Sequence, residues 1–194
     1  MRIPPFYRPS GKQKPPLPGE EFTQEWIDLA HLLTNIAKDL SCENKHIEAI
    51  ELFKRAELIW AGVISTDRRI LVQLLSVTIS LIREFVILGE IENAHSICLK
   101  AITQWEKHSL TSQQRLLLTY IRYCKALIAA ELTLYDEAIR EYETVYSIWK
   151  ELSSEDMNTF LPIMKQILLA LQHLYQEVGE QKTVEYLQTN QINE

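Results

Sequence analysis

Three tryptophans, Trp60, Trp105 and Trp149, follow one another at intervals of 45 and 44 residues, and each closes the same phrase. Ala49–Phe53–Ala56–Trp60, Ala94–Cys98–Ala101–Trp105 and Ala138–Tyr142–Val145–Trp149 share the order small, large, small, Trp at offsets 0, 4, 7 and 11. Those offsets fall on one face of a helix with 3.6 residues per turn, and a strand would scatter them over both faces. One helical unit has been written three times, and self-similarity at this period is the mark of stacked helical arrays. A stack of helix pairs offers surface to partners more readily than it assembles chemistry.

Composition narrows the reading. The chain has 194 residues, 46% of them hydrophobic and 24% charged, enough to bury a core as one domain or a short array. Five glycines and seven prolines are too few for a β-rich fold. The net charge of −6 conceals an asymmetry: residues 1–19 carry Arg2, Arg8, Lys12 and Lys14 and no acid, leaving 16 basic against 26 acidic residues in the remainder. An acidic body argues against a nucleic-acid interface, which draws its affinity from Lys and Arg on phosphates. Three cysteines, Cys42, Cys98 and Cys124, form no paired framework and fit a reducing compartment. No signal peptide and no uncharged apolar run long enough to span a bilayer is visible, so the expected location is the cytoplasm.

Residues 1–20 form a separate segment holding six of the seven prolines. Consecutive X-Pro steps forbid helix, so an extended, basic, proline-rich arm is expected, with Phe6–Tyr7 able to pin it down. From Glu21 onward the pattern is helical. Eight antiparallel helices are expected, in units of about 21–66, 67–110, 111–153 and 154–194. Gly89 and Gly179 mark helix ends, because glycine accepts the left-handed backbone a helix terminus requires. Thr111-x-x-Gln114 reads as a capping box. Pro162 is expected in a first helical turn, where a missing N–H costs nothing, and 181–189 is expected to form a short eighth helix.

These turn-and-helix segments resemble the tetratricopeptide repeat. The resemblance is carried by Leu81-Ile82-x2-Phe85-x3-Gly89-Glu90-Ile91-Glu92-Asn93-Ala94-x3-Cys98-x2-Ala101, by Asn44-Lys45-His46-Ile47-Glu48-Ala49-x3-Phe53-x2-Ala56, by Tyr135-Asp136-Glu137-Ala138-x3-Tyr142, and by a degenerate Leu171-x3-Tyr175-x3-Gly179-x4-Val184. It covers about residues 30–190. Two departures stand out. The period is 44–46 where the family uses 34, so each helix is longer, and the family's first-helix Trp is replaced by Leu33, Thr78 and Arg122. The fold class implied is all-α: a right-handed α-solenoid of about four antiparallel helix pairs behind the arm, its clipped fourth unit serving as a cap. On packing grounds alone, the alanines are expected to allow close backbone approach, Phe53, Cys98 and Tyr142 to fill the adjoining holes, and each indole to pack against the following unit.

Signals for chemistry are weak. Cys42-x3-His46 and His95-x2-Cys98 have spacings a metal site can use. Yet Cys98 stands in the core slot of Phe53 and Tyr142, and His46 in the slot of Ile91 and Tyr135. No metal, cofactor or catalytic residue is therefore expected, and no phosphate loop or hydrolase motif appears. In the resemblance, first helices line a concave side. That implies a groove with His31, Thr34 and Lys38 from unit one, Ser76, Ile79 and Arg83 from unit two, Tyr120, Tyr123 and Leu127 from unit three, and His173 from unit four. The expected partner-binding contacts are His31, Thr34, Lys38, Arg83, Tyr120, Tyr123 and His173, a set suited to a peptide or helix with some acidic character. A clamp for acidic chaperone tails is not expected, since Thr34, Lys38, Ser80, Tyr120 and Cys124 stand at its positions and only Lys38 has the right charge. The arm matches two ligand motifs: Pro4-Pro5-Phe6-Tyr7 a WW-domain ligand, and Lys12-x2-Pro15-x2-Pro18 a Src-homology-type proline ligand.

The expectation is a protein–protein interaction module: an adaptor, assembly factor or complex subunit, with no nucleic acid and no membrane insertion. The alternatives are a peptide- or ligand-sensing regulator, a self-associating scaffold or homo-oligomer built on the apolar Ile70–Leu88 stretch, and, from another class, an enzyme or metal protein.

Overall fold

The computed structural model describes residues 24–64, 70–152 and 157–179, with side chains from 161 in the last stretch. Among them are seven α-helices: α1 (Gln24–Cys42), α2 (His46–Val63), α3 (Leu71–Ile87), α4 (Ile91–Trp105), α5 (Ser112–Glu131), α6 (Tyr135–Leu152) and α7 (Met157–Val178). The arm over 1–20 and the eighth helix expected over 181–189 lie outside the described residues.

One turn is used three times. Residues 43–45, 88–90 and 132–134 separate the helices of successive pairs. Each turn passes through a positive-φ residue: Asn44 (60°), Gly89 (74°) and Thr133 (60°). Each closes with the same bond across five residues: Lys45 N–H to the Leu40 carbonyl, Glu90 to Phe85 and Leu134 to Ala129, at 2.9, 2.9 and 2.8 Å. This is the Schellman closure, which satisfies carbonyls the helix end leaves over. Gly179 (72°) repeats the conformation after α7. The period that the tryptophans announce is thus carried by the backbone as well.

The repeated phrase is interior. Ala49, Ala94 and Ala138 are fully buried, as are Phe53, Cys98 and Tyr142 to within 2%, and Trp60, Trp105 and Trp149 are 1, 9 and 2% exposed. The ring contacts of the indoles differ from the expectation that each reaches into the following unit. Trp60 meets His31 of α1 edge-on at 4.8 Å, Trp149 lies 5.7 Å from Tyr123 of α5, and Trp105 stacks obliquely on His108. Trp60 and Trp149 thus meet a ring on the first helix of their own pair, and Trp105 meets one just beyond its own helix.

Helices pack chiefly on their neighbours in sequence, with α3 and α5 also in contact. One core runs from α1 into α5, and a second from α5 through α7. Helix α5 serves both: Leu118, Ile121 and Ile128 enter the first, Ala126 and Ala129 the second. The capping box opening α5 is present, with Gln114 N–H donating to Thr111 Oγ1 and Thr111 N–H to Gln114 Oε1, at 3.3 and 3.0 Å. Pro162 departs from expectation. Helix α7 begins at Met157, so Pro162 falls in its second turn, where it removes the bond to the carbonyl of Asn158.

Candidate interaction cleft

Two sets of buried charge hold the pairs in place, and both bear on the expected contacts. Glu84 is fully buried on α3. Its Oε1 accepts from Ser41 Oγ at 2.8 Å, and Arg83 reaches the same oxygen at 2.9 Å; Oε2 meets His46 Nδ1 at 2.7 Å. Arg83 also donates to Ser41 Oγ at 3.2 Å. Burial alone would raise the Glu84 carboxyl, but the bonds from His46, Ser41 and Arg83 outweigh it and hold it below its ordinary value. A charge this deep persists only when paired in this way. His46 is therefore a link from α2 to α3, and the exposed Arg83 has its charge balanced by the neighbouring Glu84.

The second set joins α4, α5 and α6. Lys125, almost fully buried, sits 2.7 Å from Glu137 Oε1 and 3.0 Å from Glu141 Oε1. Arg122 bridges Glu141 and Glu106 at 2.9 and 2.6 Å. His95 Nε2 is 3.3 Å from Glu137 Oε2, near enough for charge attraction but not aligned as a hydrogen bond. Burial pushes Glu137 up, but the bond and charge of Lys125, with His95, outweigh it and hold the carboxyl below its ordinary value. The four histidine and cysteine positions flagged by spacing are thus dispersed: Cys42 is exposed, His46 is bound to Glu84, His95 faces Glu137 and Cys98 is core. Burial drives the Cys98 thiol far above its ordinary value, so it stays protonated. Among the described residues no group of three or more His, Cys, Asp or Glu is arranged to hold a metal.

Between α3 and α5 lies a cleft of about 660 Å³. Ile79, Ile82, Val86 and Ile87 form one wall, Leu127 and Ile128 the other, with Ile91 of α4 at the base. Arg83, Tyr120, Cys124 and Glu131 supply its polar groups. The walls are apolar and open: Val86, Ile87 and Leu127 are 41, 51 and 47% exposed. A second hollow, of about 200 Å³, lies beside Arg115 and Arg122, whose guanidinium groups are occupied by Glu151 and by Glu106 and Glu141.

Of the contacts expected from sequence, Arg83 and Tyr120 meet in the α3–α5 cleft together with Ile79 and Leu127. Tyr123, one residue from Cys124, instead packs on Tyr142 and Trp149 at ring distances of 6.1 and 5.7 Å, which makes it part of the second core's edge. His31, Thr34 and Lys38 lie on α1 and His173 on α7, away from the cleft lining. The Thr34 hydroxyl is spent on the Ala30 carbonyl at 2.7 Å, and His173 faces Glu177 on its own helix at 3.8 Å. Pro4, Pro5, Tyr7, Lys12, Pro15 and Pro18 lie outside the described residues. Glu84, Lys125, Glu137, Glu141 and Glu131 were not singled out by the sequence reasoning. A signal existed for Glu84, the lone acid of α3, set with Arg83 between Ile82 and Phe85. For Glu137 and Glu141 it was their four-residue spacing, which puts both on one face. Glu131 left no such signal.

No protein-family model matches the chain, and no curated protein does. Among solved structures, the chain is similar to the crystal structure of the apo form of RapI, a helical-repeat protein, with a TM-score of 0.68 and 14% identity. The likeness covers 86% of this chain and 43% of that one, so the chain spans less than half the length of its structural neighbour. At that identity the likeness concerns the helical-repeat fold alone. No described helix is long and apolar enough to cross a membrane.

Proposed function

We propose that the chain is a tetratricopeptide-like α-solenoid acting as a protein-interaction module, and that the α3–α5 cleft receives a peptide or helix from its partner. The observation that carries this reading is the cleft itself: apolar side chains left open to solvent between two first helices, with a few convergent polar groups to set orientation. Its size falls within the roughly 300–1,000 Å³ typical of ligand-binding clefts. Adaptor, assembly factor and complex subunit are roles within that reading.

Exposed wall residues give the cleanest test, since replacing them leaves the core intact. Leu127→Glu and Val86→Glu are expected to weaken capture of the same partner by about tenfold or more, the scale of a central anchor. Arg83→Glu is a poor probe, because it sets a second carboxylate against buried Glu84 and confuses folding with binding. Unchanged capture by both wall variants would remove the cleft from the function.

The cleft's dimensions also suit a sensor of short peptides. In that case a short peptide alone raises the melting temperature of the full chain, and Leu127→Glu abolishes the rise. A self-associating scaffold would instead show a light-scattering mass that grows with concentration.

A further inference from the structure

The α3–α5 cleft has an unbalanced charge. Arg83 is neutralised by Glu84, whereas Glu131 makes no ion pair among the described residues. Glu131 also ends α5, and neither α3 nor α5 carries a basic residue in its last turn. A helix C-terminus bears about half a negative charge, so an acid there is disfavoured unless a cation joins it. Val86 and Ile87, at the end of α3, and Ile128 and Glu131, at the end of α5, line the same cleft. Two negative helix ends and a free carboxylate thus flank an apolar trough. The complementary ligand has a bulky apolar group followed by a cation.

The chain contains such a segment. Phe6-Tyr7-Arg8 follows Pro4-Pro5 in the basic arm, and a proline-rich sequence has less conformational freedom to lose on binding. The connection is long enough. Residues 9–23 reach about 50 Å when extended. Helix α1 has 19 residues and so is about 28 Å long; α1 packs on α2 and α2 on α3, and two packing distances of about 10 Å each put the cleft about 35 Å from its start in a straight line, within that reach.

We propose that the arm docks in its own chain's α3–α5 cleft, with Phe6 or Tyr7 in the apolar trough and Arg8 against Glu131. The arm is then an internal competitor that a partner must displace, and it lowers the partner's apparent affinity by the fraction of time it occupies the cleft. This rests on the cleft being the partner's site.

The native cysteines report on it. Cys124 lines the cleft, Cys42 is exposed on α1, and Cys98 is buried in the core. In the full chain, alkylation of Cys124 is expected to quicken about tenfold in Arg8→Glu, in Phe6→Ala/Tyr7→Ala and in Glu131→Lys, with Cys42 unchanged and Cys98 unreactive throughout. Combining Arg8→Glu with Glu131→Lys restores the slow rate. Equal Cys124 rates in the parent chain and Arg8→Glu, which alters no described residue, overturn the proposal. So does shielding that grows with protein concentration, which assigns the cleft to a second copy. Equal rates with partner capture still lost in Leu127→Glu sink the arm alone. Capture indifferent to Leu127→Glu sinks the partner site, whatever Cys124 does.

Discussion

Thr133 occupies a position that its counterparts give to Asn44, Gly89 and Gly179, all with φ between 60° and 74°. A β-branched side chain is strained in this left-handed region, at a cost of about 1–3 kcal/mol. Thr133→Gly is expected to raise stability by about 1 kcal/mol in urea unfolding, and a loss would mean that the Thr133 side chain contributes more than the strain it carries. At Gly89 and Gly179 a Cβ would meet nothing within 4 Å, so it is the backbone conformation alone that favours glycine there. At this scale the sequence was informative for Gly89 and Gly179 and silent for Thr133, whose conformation is imposed by the turn it closes.

Elements are joined by small residues and by paired charges. Ala94 is fully buried on α4, where its lack of bulk lets the backbone approach its neighbours. Ala94→Leu forces added volume into that contact and is expected to cost about 1–3 kcal/mol in chemical denaturation. An increase in stability would mean that the helices are less closely fitted than their burial implies. Glu84 makes a different kind of joint: a single carboxylate ties the end of α1, the start of α2 and the last turn of α3. Glu84→Ala removes the acceptor shared by Ser41, His46 and Arg83 and is expected to cost about 1–3 kcal/mol at neutral pH. A cost below about 1 kcal/mol, the level of exposed pairs, would mean the network is incidental. The alanines were legible because they recur. The ion pairs were not, since a charged residue's partner is decided by helices 38 to 43 residues away.

Across the whole molecule these paired carboxylates set an acid limit. Glu84 and Glu137 both titrate below their ordinary range. A lowered carboxyl pKa contributes stability that is complete above the unfolded value, about 4.3, and is lost as pH falls through the folded one. The urea midpoint is therefore expected to hold between pH 5 and 7, by about that reference, and to fall steeply below it; Glu84→Gln should show a shallower fall. An equally steep fall in Glu84→Gln would move the acid limit to other groups. The sequence by itself determined the helical repeat, its long period and the interior face of each second helix, because these follow from local spacing that each copy states again. Tertiary structure alone decided that Arg83 is neutralised, that Tyr123 turns inward while Tyr120 opens on the cleft, and that Glu131 meets no cation among the described residues. Each of those outcomes depends on which side chains neighbouring helices bring within a few ångströms, and no periodicity along one helix encodes that.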